Sequence, residues 1–156
     1  MLSEALHNIF RISRYNIAYR AAHLPVPDLT PAQCLYISHV CRMPGATQEQ
    51  LARAICTDKT TAAHQLSTLE RCGYVERRVS ARDGRCRCVF PTEKALAVFP
   101  VLRQQQEAFT DAVLAGLSAE ECAELTRLTA LVCGNAAALL QDAGTRTPHP
   151  AHGRTR

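Results

Sequence analysis

A cluster of arginines is the first group of residues in this sequence whose type and spacing could do chemistry. Between residues 77 and 87 there is a single carboxylate, that of Asp83, and five arginines: Arg77, Arg78, Arg82, Arg85 and Arg87. Such a concentration of guanidinium groups is the electrostatic footprint of phosphate binding. The net charge of +4 says little by itself. The alternative interpretation is a solvated hairpin with ordinary surface charge.

A run of polar side chains precedes the arginines and could contact a nucleic acid directly. It follows Asp58 and comprises Lys59, Thr60, Thr61, His64 and Gln65. On a helix, Gln can pair with adenine, Thr can meet a phosphate or a thymine methyl, and Lys can meet the backbone. The free N–H groups of the helix start also favour a phosphate. For each residue taken singly, a polar helix face turned to water is an equally good interpretation.

Two helices and a hairpin are predicted to position these side chains. Thr47 and Gln50 form a capping box that starts a short helix, and Asp58 caps the next helix, which Gly73 ends. Strand-like residues 74–79 and 86–90 surround the turn signal Asp83-Gly84. This order predicts a helix pair for the major groove and a basic β wing for the neighbouring minor groove.

Apolar side chains at helical spacing predict further helices on both sides of this region. The first covers residues 2–24, and a second begins at Pro31 with Thr30 as its cap. A long helix follows Thr92, where Pro100 is expected to kink or split it. Another capping box at Ser118 opens the last helix. Residues 143–156 have the composition of a disordered basic tail.

The region also carries a string of short motifs that is specific as a whole. They are Leu29-Thr30-Pro31-Ala32-Gln33, Pro44-Gly45-Ala46-Thr47-Gln48-Glu49-Gln50-Leu51-Ala52, Asp58-Lys59-Thr60-Thr61, Leu69-Glu70-Arg71-Cys72-Gly73-Tyr74-Val75-Glu76-Arg77, Asp83-Gly84-Arg85 and Thr92-Glu93-Lys94. With these motifs the chain resembles the MarR family of bacterial transcriptional regulators. The flanking helices extend the resemblance to about residue 142.

The resemblance implies a mainly α fold, a winged helix-turn-helix with a two-stranded β wing. Residues 1–142 would form one domain, with a DNA-binding lobe at 29–92 and dimerisation helices at 2–24 and 93–140. The partners implied are a second copy of the chain, a pseudo-palindromic double-stranded DNA operator and a small aromatic or lipophilic effector that releases a repressor. Arg85 would enter the minor groove, and Asp83 would hold the wing arginines. His64 departs from the family pattern, which often has Arg there.

Candidate effector-binding residues lie on the first two helices: Tyr15, Tyr19, Cys34, Tyr36 and Ile37. Tyrosine and cysteine side chains beside an apolar pocket could bind an aromatic acid, with Arg11 or Arg14 pairing its carboxylate. Plain core packing is the alternative for each of them.

A thiol-based redox sensor on the same scaffold is the second functional hypothesis. Its candidate cysteines are Cys34, Cys86 and Cys88, since arginine neighbours lower a thiol pKa. Cysteines at alternate strand positions lie about 7 Å apart, too far for an easy disulfide. No CxxC motif supports a zinc site, so no metal is expected.

Other classes of protein find little support in the sequence. It lacks a phosphate-binding glycine loop, a metalloprotease helix motif and a nucleophile–base pair at recognisable spacing, so neither an enzyme nor a cofactor is expected. Without a membrane-length apolar run or a signal-like N-terminus, we expect a cytoplasmic protein that does not bind membranes. A winged helix that binds protein instead of DNA remains a third hypothesis.

Overall fold

The computed structural model describes residues 2–79 and 87–145. Its elements follow in this order: helix α1 (Leu2–Ala22), helix α2 (Pro31–Arg42), strand β1 (Ala46–Thr47), helix α3 (Gln48–Ile55), helix α4 (Lys59–Arg71), strand β2 (Val75–Val79), strand β3 (Arg87–Pro91), helix α5 (Glu93–Leu114) and helix α6 (Ala119–Thr145). The predicted winged helix-turn-helix class is confirmed.

Local hydrogen bonds explain where the central helices begin. The Thr30 hydroxyl accepts from the backbone N–H of Gln33 at 3.2 Å, and the Gln33 side chain accepts from the Thr30 N–H at 2.8 Å. Thr47 and Gln50 repeat this arrangement at the start of α3 with the same two distances. Each capping box satisfies backbone donors that a helix start leaves free. The caps predicted from the sequence are therefore confirmed.

The turn between α3 and α4 depends on one residue in an uncommon conformation. Cys56 has a φ of 57° and is the one non-glycine residue with positive φ in the described part of the chain. The Thr57 N–H then donates to the carbonyl of Ala52 at 2.9 Å, which closes the end of α3. Asp58 follows in an extended conformation and caps α4. Three residues thus connect the two helices.

The sheet has three strands, where the sequence predicted a two-stranded wing. Strands β2 and β3 pair antiparallel from Val75 opposite Pro91 to Val79 opposite Arg87. Strand β1 adds to the other edge of β3, with Ala46 opposite Val89. Only two residues long, β1 carries no alternating pattern, so the expectation of two strands was incomplete.

Contacts between distant residues attach the start of α5 to the end of α4. The Thr92 hydroxyl donates to the Gly73 carbonyl at 2.7 Å, and the Lys94 ammonium donates to the Cys72 carbonyl at 2.9 Å. The Lys94 ammonium also lies 4.2 Å from the centre of the Tyr74 ring. Carbonyls that the end of α4 and the Gly73 turn leave free are satisfied in this way.

One apolar core lies beneath the helix-turn-helix. Its largest fully buried side chains come from four elements: Ile37 and Val40 of α2, Leu51 of α3, Leu66 and Leu69 of α4, and Val89 of β3. Ala95 and Leu102 of α5 complete it. The core therefore holds α4 by one face and leaves its other face to solvent.

Helix α5 is continuous through Pro100, so of the two expected effects, a kink or a split, the split is wrong. Proline removes one helical hydrogen bond and crowds the carbonyl four residues earlier. Ala95 and Leu102, buried on either side of Pro100, anchor both halves of the helix in the same core. We infer that this packing keeps the helix in one piece.

The chain divides into two compact units, Met1–Val113 and Leu114–Arg156. The second unit contains α6, which continues to Thr145, slightly beyond the start of the expected tail at residue 143. The rest of that tail, residues 146–156, lies outside the described residues. Among the helices described, none combines the length and apolarity that a membrane crossing requires.

Candidate nucleic-acid interface

Helix α4 has one buried face and one polar face. Ala62, Leu66 and Leu69 are completely buried. Four of the five side chains predicted to contact nucleic acid lie on the exposed face, namely Lys59, Thr60, Thr61 and His64, while Gln65 is half-buried. The buried face anchors the helix, so the polar face is presented on a rigid support.

The first turn of α4 is organised around Asp58. Its carboxylate accepts from the Thr61 backbone N–H at 2.8 Å and from the Thr61 hydroxyl at 2.6 Å. Both hydrogen bonds lower the pKa of the Asp58 carboxyl below its ordinary value, and the bond from the Thr61 hydroxyl has the larger effect. Thr61 therefore completes a helix cap, a role that the sequence analysis did not assign to it.

Glu49 of α3 is a neighbour of this surface that the sequence analysis missed. Its carboxylate lies 3.1 Å from the Lys59 ammonium and 3.2 Å from the Arg53 guanidinium. The Gln48 side chain donates to the Lys59 carbonyl at 3.5 Å. The Glu49–Arg53 spacing of four residues was readable from the sequence, whereas the contact with Lys59 depends on how α3 and α4 cross.

Arg77 and Arg78, two members of the arginine cluster, are engaged within the protein. Arg77 donates to the Glu70 carboxylate at 3.0 Å and to the Ser67 hydroxyl at 3.3 Å, and its side chain is only 17% exposed. Arg78 pairs with Glu76 and lies over the Phe90 ring, 4.7 Å from its centre. Arg77 thus ties β2 to α4, so the predicted cluster is not a uniform phosphate-binding patch.

The tip of the predicted wing falls in the gap between the two described ranges. Arg82, Asp83 and Arg85, together with the redox candidate Cys86, lie outside the described residues. Arg87 opens β3 opposite Val79 and is exposed. Arg87 is therefore the predicted nucleic-acid-binding residue of the wing whose position the structure describes.

The five predicted effector-binding residues do not share one environment. Tyr15 is 58% exposed and its hydroxyl accepts a hydrogen bond from Arg11 at 3.0 Å. Tyr19 stacks on His23 at 4.2 Å between ring centres. The other three, Cys34, Tyr36 and Ile37, are buried in the core.

A cavity of about 250 Å³ lies between α1, α2 and α5. Its lining combines polar and apolar surface and comprises Arg20, Leu35, Ser38, His39, Arg42, Leu102, Gln105 and Gln106. None of the five predicted effector-binding residues lines this cavity. The lining residues of α1 and α2 lie near them along the chain, because tertiary packing decides which faces of these helices meet α5. Burial lowers the pKa of Arg20, while the neighbouring Cys34 opposes that shift.

The cysteines in the described part of the chain are free thiols. Cys34 is 2% exposed, and burial raises its pKa although the nearby Arg20 opposes that shift. Cys88 is half-buried in β3 opposite Arg78. A buried thiol with a raised pKa holds little of the reactive thiolate at neutral pH. Within the described residues no three potential ligands from His, Cys, Asp and Glu gather into a metal site.

Comparison with known proteins relates this geometry to one family. Residues 28–85 match the sequence profile of the MarR family. A relative from Bacillus subtilis (strain 168), the uncharacterised HTH-type transcriptional regulator YybA, is 38% identical over 94 residues, which are 60% of this chain and 63% of the relative. The matched region thus spans less than two thirds of that relative.

Solved structures match over most of the chain. The transcriptional regulator SlyA superposes with a TM-score of 0.83 and 28% identity, over 89% of this chain and 98% of its own. A Listeria monocytogenes protein assigned to the MarR family of transcriptional regulators, crystallised with 26mer DNA, also has a TM-score of 0.83. Its identity is 25%, over 92% of this chain and 97% of its own.

Proposed function

We propose that the chain is a member of the MarR family, whose profile it matches over residues 28–85, and that it is a DNA-binding transcriptional regulator that reads a pseudo-palindromic operator as a homodimer. The observation that carries the proposal is the polar face of α4, which presents Lys59, Thr60, Thr61, His64 and Gln65 from a rigid core. The DNA complex of the Listeria monocytogenes protein supports it. The named relatives are transcriptional regulators and not enzymes. A bacterial regulator of this kind would act in the cytoplasm.

In this proposal α4 enters the major groove. A helix fits that groove, where each base pair offers a distinct pattern of donors and acceptors. His64 and Gln65 lie in the second turn of α4 and would meet base edges, while Lys59 and Thr60 at the helix start would meet phosphates. Arg82 and Arg85, which lie outside the described residues, would reach the adjacent minor groove from the wing.

A dimer would bury apolar side chains that are exposed to solvent in a single chain. On α1 these exposed residues are Leu6, Ile9, Phe10, Ile12 and Ile17. On α6 they are Leu125, Leu128, Leu131, Val132 and Leu139. Exposed apolar patches of this kind mark protein interfaces. Two α4 helices on one dimer would then match two half-sites of an operator.

The cavity between α1, α2 and α5 supports the proposal that the protein is a repressor, which a small molecule releases from DNA. Arg20 and Arg42 supply positive charge to it. The Nδ1 of His39 lies 2.9 Å from the Leu35 carbonyl, so the other ring nitrogen remains for a ligand. Guanidinium groups bind carboxylates well, and Leu35 and Leu102 offer apolar contact. We therefore propose a small aromatic acid as the effector.

The thiol-sensing alternative draws less support from the geometry. Burial of Cys34 raises its pKa and limits access of an oxidant to it. Cys88 is only half-buried and remains the more accessible of the two described candidates. Release of bound DNA by peroxide, and its prevention by Cys88→Ser, would favour this alternative over the effector.

A fluorescence-anisotropy titration with DNA from upstream of the protein's own coding region tests DNA binding. We expect a discrete complex whose log affinity falls steeply with log salt, because several phosphate contacts release counterions. Arg85→Ala should weaken this complex, whereas Arg127→Ala on α6 removes the same charge and should not. A nearly flat salt dependence, with equal affinities for both variants, would favour a protein partner.

Adding hydroxybenzoates to the complex tests the effector. We expect the wild-type protein to release the DNA. Arg42→Gln removes one positive charge from the cavity, so its DNA complex should be released less readily, whereas its affinity for DNA without an effector should be unchanged. If all hydroxybenzoates leave the complex intact, the effector class is wrong, although DNA binding itself is unaffected by that result.

A further inference from the structure

The cation at the start of α4 is already paired with a carboxylate of the neighbouring helix. The Lys59 ammonium lies 3.1 Å from Glu49, whose other partner is Arg53 at 3.2 Å. All three side chains are at least half exposed, so solvent and an approaching ligand can both reach them. A phosphate that approaches Lys59 therefore meets the Glu49 carboxylate beside the ammonium.

Glu49 remains ionised throughout the physiological pH range. The hydrogen bond from Lys59, the charge of Lys59 and the charge of Arg53 hold the pKa of this carboxyl below its ordinary value. Its position in the first turn of α3 also suits a negative charge, since a helix start carries partial positive charge.

A carboxylate at this place opposes the binding of DNA. The start of α4 attracts anions through its free N–H groups. Glu49 competes with a phosphate for Lys59 and also repels that phosphate. Exposed ion pairs are weak, so the competition changes affinity by only about two- to fivefold per protomer.

We propose that Glu49 limits the affinity of this surface for DNA, because its carboxylate competes with a phosphate for Lys59. On an unrelated duplex, α4 makes few base contacts, and Lys59 stays with Glu49. On an operator, base contacts from His64 and Gln65 hold α4 close to the groove, and Lys59 exchanges the carboxylate for a phosphate. This inference rests on the proposed DNA-binding function.

The test compares Glu49→Gln with the wild-type protein on two DNA duplexes. One duplex is selected by the wild-type protein from a random library, and the other is a scrambled sequence of the same composition. We expect Glu49→Gln to tighten binding to the selected duplex about two- to fivefold per protomer, with an equal or smaller gain on the scrambled duplex. Its salt slope on the scrambled duplex should steepen by about 0.9 for each lysine that gains a phosphate.

Glu124→Gln provides the matched control. Glu124 pairs with Arg127 on α6 at 2.8 Å and has an exposed side chain like that of Glu49. The control changes the net charge by the same amount, so any gain in affinity that comes from net charge alone should appear in both variants. Thermal melting of both variants checks that they are folded.

Lys59→Gln completes the experiment. In its background, Glu49→Gln should give a clearly smaller gain in affinity for the selected duplex. If Glu49→Gln behaves as Glu124→Gln does, or acts equally without Lys59, the inference is overturned. If neither Lys59→Gln nor Arg85→Ala weakens any DNA complex, the proposed function itself fails, which is a different result.

Discussion

At the scale of single residues, the interface depends on charges and hydroxyls that the protein itself holds in place. Asp58 caps α4 through Thr61, Glu49 holds Lys59, and Arg77 spans from β2 to Glu70. Each of these contacts restricts a side chain before any ligand arrives. Restraint of Thr61 by Asp58 lowers the entropy cost of binding, whereas the Glu49 carboxylate beside Lys59 opposes the approach of a phosphate.

Asp58 makes the stability of the protein sensitive to acid. Its pKa in the folded protein lies below the ordinary value of 3.8, so its contribution to stability is present above that value. This contribution is lost as the pH falls through the lower, folded pKa. We expect the melting temperature of the wild-type protein to fall more than that of Asp58→Asn on acidification from about pH 6 to about pH 3.

The two variants at this position separate capping from charge. Asn is also a good cap, so Asp58→Asn should melt close to the wild-type protein at neutral pH, whereas Asp58→Ala should melt lower. A difference between wild type and Asp58→Asn that does not vary with pH would show that Asp58 has no depressed pKa.

Tyr36 carries a buried hydroxyl whose bonding is poor. The residue is 3% exposed, and its hydroxyl lies near Thr57 without forming a well-aligned hydrogen bond. An unsatisfied buried hydroxyl costs stability, and its removal without a change of shape is neutral or favourable. We expect Tyr36→Phe to raise the free energy of unfolding by about 1 kcal/mol in chemical denaturation. A loss of stability would mean that the hydroxyl has a partner.

At the scale of elements, tertiary packing overrides a strong local signal in α5. Pro100 is exposed in the middle of a continuous helix whose Ala95 and Leu102 are buried on either side. The helix therefore tolerates a residue that would end it in isolation. Because the packing holds the helix in place, a residue that restores the missing backbone hydrogen bond should make the protein more stable.

Replacing Pro100 with alanine tests this account of α5. The variant restores a backbone N–H and relieves the crowding of the carbonyl four residues earlier, so we expect stability to rise by about 1 to 3 kcal/mol. Equilibrium denaturation measures the change. Val101→Ala, at the neighbouring position, changes no backbone donor and should show no such gain. A less stable Pro100→Ala protein would mean that the proline ring itself is needed.

At the scale of the whole molecule, exposed apolar side chains support the proposal that the chain forms a dimer. Phe10 is 62% exposed on α1 and Leu139 is 71% exposed on α6. Burial of apolar surface is the main favourable contribution to the free energy of protein–protein association. The proposed dimer would also set the spacing of two α4 helices, which a monomer cannot do.

Phe10→Asp tests the proposed dimer. A charge in the middle of an apolar interface is costly, so we expect sedimentation to show a monomer and operator affinity to fall at least tenfold. Met43→Asp places the same charge at an exposed apolar residue outside the proposed interface and should remain a dimer. A dimeric Phe10→Asp protein with normal DNA binding would contradict this assignment of α1.

The sequence by itself determined the parts of the fold that depend on near neighbours. Thr30, Thr47 and Asp58 start helices through bonds to residues three positions later, and Gly73 ends α4 with a φ of 74°. The polar face of α4 was also visible, because helical spacing separates it from Leu66 and Leu69. These signals act within about four residues, so they are largely independent of the rest of the chain.

Only the tertiary structure decided which distant groups meet. It paired β1 with β3, brought Glu70 to Arg77 and Glu49 to Lys59, and placed the cavity among three helices. It also buried Cys34, Tyr36 and Ile37 in the core. Such contacts depend on how helices cross and which faces they bury, and many different crossings are compatible with the same local pattern. The physical reason is that apolar burial is non-directional, so the geometry of a contact emerges only when the whole core packs.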